Sequence, residues 1–326
     1  MKNIINSVLR VALPIAFAAA ILWWMYRGFQ WQEIRQALDT DMRWGWMLLS
    51  FPFGVLAQVL RGLRWRQVLE PMGERPSRWS CVRAIFLSYG SSLVVPRVGE
   101  LLRCGVLARD GGVKMSRSLG TVVTERVVDM VLILLLTFVT VVWQVPVFIR
   151  FMGRTGLSVH AIVARFSPTG WLVTVASGIV VTGMGYFILR RLHVFDRTRQ
   201  VAHDLLDGLL SIRRVRQKGL FWLYSVGIWA SYYLHFYLTF YCFSYTEHLG
   251  PTVALVAFVV GTFAVIVPTP NGAGPWHFAV KTVLMLFGVE GNDGAMFVLI
   301  VHSVQTALVA ALGVAGLADR KASPAR

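Results

Sequence analysis

The chain has 326 residues, of which 56% are hydrophobic and only 15% charged, with a mean hydropathy of +0.60. Soluble domains carry about 25% charged residues, so an ordinary cytosolic protein is excluded. The formal charge of +16 is read beside apolar spans, where basic residues set topology and attract anionic headgroups. No RNA- or DNA-binding motif accompanies it, so nucleic acid is not expected as a partner.

Seven stretches lack Asp, Glu, Lys and Arg altogether: 11–26, 44–60, 130–149, 166–189, 219–246, 248–280 and 294–318, together half the chain. A spanning helix needs about 20 mainly apolar residues, so the expected fold class is an all-α polytopic membrane protein. About six continuous spans are expected, at 9–26, 44–61, 119–143, 169–189, 219–244 and 294–317. The first, entered through Lys2 and Arg10, runs into Trp23-Trp24-Met25-Tyr26 without a small-residue cleavage site and is read as retained. Trp31, Ile34, Ala37 and Leu38 share an apolar helical face, as do Val201, Leu205, Leu209 and Ile212, and both stretches are expected along the membrane surface. Residues 1–318 thus form one transmembrane domain and 319–326 a short cytoplasmic tail.

Two further apolar segments are broken by proline, which removes a backbone donor and disfavours helix in the residue before it. Residues 84–108 break at Pro96, and residues 252–288 at Pro268 and Pro270, so each is expected to fold back as a helical hairpin. With the N-terminus inside, 22 of the 32 Lys and Arg fall in the inner segments and 6 in the outer ones, which predicts N-in and C-in. The first hairpin then opens to the cytoplasm and the second to the exterior. The two also match in detail: Val94-Val95-Pro96 against Ile266-Val267-Pro268, and Arg103 seven residues after Pro96 against His277 seven after Pro270. Arg126 and Asp129, then His302 and Gln305, recur three apart in the following span. An inverted repeat of this kind places a substrate site near the bilayer midplane, beside the broken helices.

Charges cluster around the first hairpin: Arg97, Glu100, Arg103, Glu125, Arg126 and Asp129. A charge at the centre of a spanning helix costs roughly 2.5–3.5 kcal/mol even on a lenient scale, so these residues must pair, meet water or lie near the interface. Two readings follow: an ion-pair lattice that pins the hairpin, and a cationic pocket in which Arg97, Arg103 and Arg126 hold a phosphate headgroup while the carboxylates orient them. They are compatible. The second hairpin carries Asn271, Gly272, Gly274 and His277 instead, with glycines that permit tight turns and close backbone approach. Arg61, Arg64 and Arg66 flank Trp65 at the end of the second span and are read as an interfacial anchor, or as headgroup capture at the inner leaflet. Cys81, Cys104 and Cys242 lack metal-ligand spacing and read as small core hydrophobes.

Four motifs in order, Arg61-Gly-Leu-Arg-Trp-Arg66, Pro96-Arg-Val-Gly-Glu-Leu-Leu-Arg103, Glu125-Arg126-Val-Val-Asp129 and Pro268-Thr-Pro-Asn-Gly-Ala-Gly274, resemble the lysylphosphatidylglycerol synthase transmembrane-region family. This is the flippase-like membrane domain found at the front of MprF-type proteins and as free-standing proteins. The resemblance covers nearly the whole chain and implies translocation of an anionic, aminoacylated or isoprenoid-phosphate-linked lipid headgroup between the leaflets of the cell (inner) membrane. Many members read Pro-x-Pro-Gly-Gly-x-Gly-x-x-Glu in the second hairpin, whereas this chain has Asn271 at the first glycine and His277 at the glutamate. Eight residues follow position 318, so the expectation is a membrane domain without the synthase. No catalytic motif, metal-ligand set or cofactor site is found, and the protein is not expected to be an enzyme. The rival expectations are a lipid-binding scaffold for a separate lipid-modifying synthase and, behind it, a lipid-linked transferase.

Overall fold

The computed structural model describes residues 15–29, 31–95, 98–155, 214–267 and 269–319. The expected span at 169–189, the surface face at 201–212, the tail beyond 319, and Pro96, Arg97 and Pro268 lie outside the described residues. Among those described, the elements are helices: α1 (Ile15–Tyr26), α2 (Trp31–Gln36), α3 (Trp44–Leu69), α4 (Arg78–Ser92), α5 (Val98–Gly111), α6 (Met115–Thr155), α7 (Lys218–Tyr237), α8 (Gly250–Ala264), α9 (Pro275–Leu286) and α10 (Gly291–Ala318).

Three of these, α3, α6 and α10, are long and apolar enough to cross a membrane. They fall on the expected spans at 44–61, 119–143 and 294–317. Their outward faces are correspondingly apolar, with Val123, Val127, Leu134, Leu135 and Phe138 of α6 exposed. The span expected at 219–244 is covered by α7 and a 3-10 turn, Leu238–Cys242, that continues it, though α7 is not among the three helices long and apolar enough to cross. Its Trp, Tyr and His side chains serve packing and hydrogen bonding instead of plain apolarity. Helix α3 also runs further than expected. It does not close at Arg61 but continues for two more turns to Leu69.

The arms of the two expected hairpins, α4 with α5 and α8 with α9, are 12 to 15 residues long. At 1.5 Å per residue each is about 18–22 Å, shorter than a hydrocarbon core of about 30 Å. Within each hairpin the arms pack on one another, and several element pairs match: α3 on α4 and α7 on α8, α5 on α6 and α9 on α10, α4 on α10 and α8 on α6; the contact of α3 with α6 has no comparable counterpart between α7 and α10. Helices α3 and α7 pack together between the two sets. Glycine sets the closest approaches. A Cβ on Gly62 of α3 would lie 2.7 Å from the Val82 backbone, and one on Gly99 of α5 would lie 2.1 Å from the Ser88 carbonyl oxygen.

The ends of the bundle differ in charge. At one, the contacts of Arg117 with Met72 and Glu74, and of Trp79 with Asp319, gather Arg75, Arg78, Arg109, Lys114, Arg117, Arg214, Arg216 and Lys218. At the other, where Arg43 pairs with Glu247 and Tyr26 donates to the Ala295 carbonyl, acidic residues prevail: Glu33, Asp39, Asp41, Glu247, Glu290 and Asp293. The main core lies towards the acidic end around Phe236, Phe240, Phe243 and Phe297. All three cysteines are buried and free, as expected of small core residues.

One prediction concerns the crossing of α4 and α10. A Cβ on Gly313 would sit 2.9 Å from the Gly90 Cα, a backbone atom that cannot rotate away. Gly313→Ala is therefore expected to destabilise detergent-purified protein by about 1–3 kcal/mol, read as a lower apparent melting temperature. Gly105→Ala, whose Cβ meets nothing within 4 Å, is expected to leave it unchanged or raise it.

Candidate functional site

Helices α3, α5 and α6 bring seven charged side chains into one lattice. Asp129 lies at its centre: its Oδ2 accepts from Arg61 and its Oδ1 from Arg64, each at 2.8 Å. Glu125, one turn earlier on α6, pairs with Arg103 of α5 at 2.7 Å and stands 3.6 Å from Arg64. The outermost pair joins Arg126 to Glu100 at 2.8 Å, and Arg126 also stands 3.9 Å from Asp129. Burial divides the lattice sharply. Arg64 and Glu125 are fully enclosed, and Arg61, Arg103 and Asp129 nearly so, whereas the Arg126 and Glu100 side chains are 46% and 42% exposed.

The local sequence explains each position. In the Arg61–Arg66 segment, residues three apart on the helix share a face, so Arg61 and Arg64 both turn towards α6, while Gly62 faces α4. Trp65 is wholly buried, its indole N–H donating to Thr121 Oγ1 at 2.9 Å and its ring lying 4.6 Å beneath the Arg103 guanidinium. Arg66 remains at the rim, bonded to the Pro76 carbonyl and to Glu70. The expected interfacial position of Arg61 and Arg64 is thus corrected: α3 does not end there, and two carboxylates of α6 neutralise them inside the bundle. Arg103, expected as a phosphate donor, is enclosed by Glu125 and Trp65. Arg126 keeps an open face.

The buried part of the lattice holds three guanidinium groups against two carboxylates, one positive charge in excess among the described residues. Arg103 Nε and Nη2, and the Nε atoms of Arg61 and Arg64, make no hydrogen bond there. Arginine is suited to such a place because its charge survives burial and its fork of donors can serve two acceptors at once.

The turn of the second hairpin is built without formal charge, and Lys281 of α9 is the one formal charge in its arms. Its turn is a left-handed passage through Asn271 (φ 49°), Gly272 (φ 74°) and Gly274 (φ 87°). Asn is the side chain that best tolerates such a conformation, which explains how it stands where a glycine would be expected. Pro270 opens this turn. Asn271 donates to Thr306 Oγ1 at 2.7 Å, and its carbonyl lies 3.0 Å from His302 Nε2, so the turn is tied to α10. His277 is buried against Tyr26, Trp276 and His302, and its Nδ1 accepts the Gly274 N–H at 3.3 Å. It caps the first turn of α9.

The family described as the lysylphosphatidylglycerol synthase TM region matches residues 11–313. The chain belongs to this family. No curated protein and no solved structure matches it. Within this lysylphosphatidylglycerol synthase transmembrane region, α7 supplies polar groups that no motif announced. Tyr232 lies under the Arg61 guanidinium and shares a hydrogen bond with Tyr89, Ser225 accepts from Arg64, and the His235 carbonyl accepts from Gln305 of α10. The signal for His235 is Gly54, where a Cβ would come within 2.9 Å of the imidazole. These groups form a polar seam from the first hairpin's lattice towards the second hairpin.

The burial pattern predicts unequal mutational costs. Asp129→Ala strands Arg61 and Arg64 and is expected to cost about 3–5 kcal/mol, seen as loss of monodisperse protein or a large fall in melting temperature. Arg126→Ala removes a half-exposed pair and is expected to cost about 1 kcal/mol or less in the same assay.

Proposed function

We propose that this protein is a membrane lipid translocase that moves a phosphate-bearing headgroup between leaflets through the charged lattice of the first hairpin. The observation that carries this reading is the position of Arg126. It is half exposed, joined to a buried lattice with an excess positive charge, and seven residues, about 10 Å, inside the span expected at 119–143. An arginine at such depth requires water or an anionic partner. Glu100 is that partner in the structure, and in this proposal a lipid phosphate takes its place while the acyl chains stay in the bilayer.

In this reading the protein is a multi-pass protein of the cell (inner) membrane, N-in and C-in. The basic end of the bundle faces the cytoplasm, as the enrichment of Lys and Arg in cytoplasmic loops requires. The two short hairpins are re-entrant and enter from opposite sides as an inverted repeat. The element pairs that match between the two sets support that arrangement. Arg97 and Pro268 are counted with the proposed site from the sequence alone. No chemical step is assigned: the protein binds and moves its substrate without modifying it.

A scaffold that holds lipid for a separate synthase is the second reading, favoured by the pairing of Arg126 with Glu100, which satisfies the lattice without a ligand. Reconstitution separates the two. Purified protein in liposomes containing headgroup-labelled phosphatidylglycerol is expected to equilibrate the label between leaflets, and Arg126→Ala to slow exchange by about tenfold or more while the protein stays folded. Exchange equal in the variant and the wild type overturns the route through Arg126. Binding without exchange in the wild type transfers the assignment to the scaffold.

A further inference from the structure

We infer that a second, separate anion site for a phosphate-bearing headgroup lies at the basic end of the bundle, between the last turns of α3, the start of α4 and the entry to α7. A cavity of about 260 Å³ opens there, lined by Arg66, Gln67, Glu70, Arg78, Arg216 and Gln217 among others. That is below the usual range of small-molecule pockets, roughly 300–1,000 Å³, and suits a headgroup rather than a whole lipid.

Three arginines face one carboxylate in this cavity, and Glu70 is already paired with Arg66 at 3.0 Å. Arg66 is also held by the Pro76 carbonyl, so its fork is fixed in place. Arg78 and Arg216 make no ion pair among the described residues. The first turn of α7, a helix of 20 residues, also meets the cavity at Gln217 and Leu220 without a side-chain cap. Its free N–H groups and positive dipole end favour an anion. Gln67 adds a buried Oε1 without a partner, an acceptor that a hydroxyl next to the phosphate would fill. The combination of cationic forks, uncapped amides and one orphan acceptor describes a phosphate ester of a polyol.

This site shares no residue with the Arg126 lattice. Only its assignment to the inner leaflet rests on the proposed topology. It would concentrate anionic headgroups at the bundle's basic mouth, a task the sequence motif had placed on Arg61, Arg64 and Arg66, of which Arg66 lines this cavity.

The test is equilibrium binding to the full-length protein in neutral detergent, with phosphatidylglycerol followed by native mass spectrometry and inorganic phosphate followed by thermal shift. Arg78→Gln with Arg216→Gln is compared with Arg75→Gln and Lys114→Gln, which remove the same charge from exposed residues outside the cavity. The cavity variant is expected to bind on the order of tenfold more weakly and the control to bind as wild type. Loss confined to the lipid identifies a headgroup site, and loss confined to phosphate identifies a soluble phosphorylated ligand. Equal loss in both variants, or binding of neither probe by wild type, overturns the inference. Arg126→Ala is expected to retain this binding, so a failure here and a failure of translocation are told apart.

Discussion

The rest of the structure depends on the cost of enclosing ionised groups in an apolar bundle. Glu125 and Asp129 sit on a helix long and apolar enough to span a membrane, and each is tolerated only because guanidinium groups reach it from other helices. Asp129 alone binds two arginines of α3, which fixes the rotation of α3 against α6. Glu125 binds Arg103, which fixes α5 in the same way. The close glycine contacts follow from that registry: Gly62 and Gly99 remove the side chains that would hold α3, α4 and α5 too far apart for the ion pairs to close. Packing and electrostatics therefore specify one arrangement together.

The two hairpins solve the same structural problem with different chemistry. Each must secure a short arm or turn to the long helix that follows it. The first does so by the Glu100 to Arg126 ion pair, the second by Asn271 against His302 and Thr306. Neutral hydrogen bonds in the second hairpin cost less to bury and leave no field for an anion. The halves are matched in packing and unequal in charge, so the anionic substrate proposed above would be drawn to the first.

Much of this was legible in the chain. Apolar run length predicted α3, α6 and α10, because nothing competes with helix in such a stretch. Proline marked the interruptions of both hairpins, and the three-residue and four-residue spacings of Glu125, Arg126 and Asp129 placed them on one side of a helix. The role of Arg61 and Arg64 was not legible. A cluster of arginines at the end of an apolar run looks the same whether it meets lipid headgroups or carboxylates from a helix 60 residues away. Tyr232, Ser225 and His235 were hidden for a related reason: within an aromatic-rich helix their polar atoms carry no periodic signal, and their partners lie on α3, α4 and α10. His277 is a further case. Its place in the motif does not announce its structural task, the capping of α9 through Nδ1, which is visible only once Gly274 is seen to begin that helix.

Glu100 bears on how a proposed translocase would avoid trapping its cargo. A fixed excess of positive charge at low dielectric binds a phosphate tightly, and tight binding to one state raises the barrier to leaving it. Arg126 does not stand as a bare cation. Its Nε already contacts a carboxylate 42% exposed, at ordinary hydrogen-bond distance. A phosphate that takes Arg126 displaces Glu100 into water or onto a neighbouring arginine, and when the phosphate departs the ion pair closes again. Only the difference between two charge-assisted contacts then enters the free energy of binding, not the full energy of either. The exposed ion pair, which taken alone argues for a closed structural lattice, is in the proposed translocase the element that would make anion exchange at that position reversible.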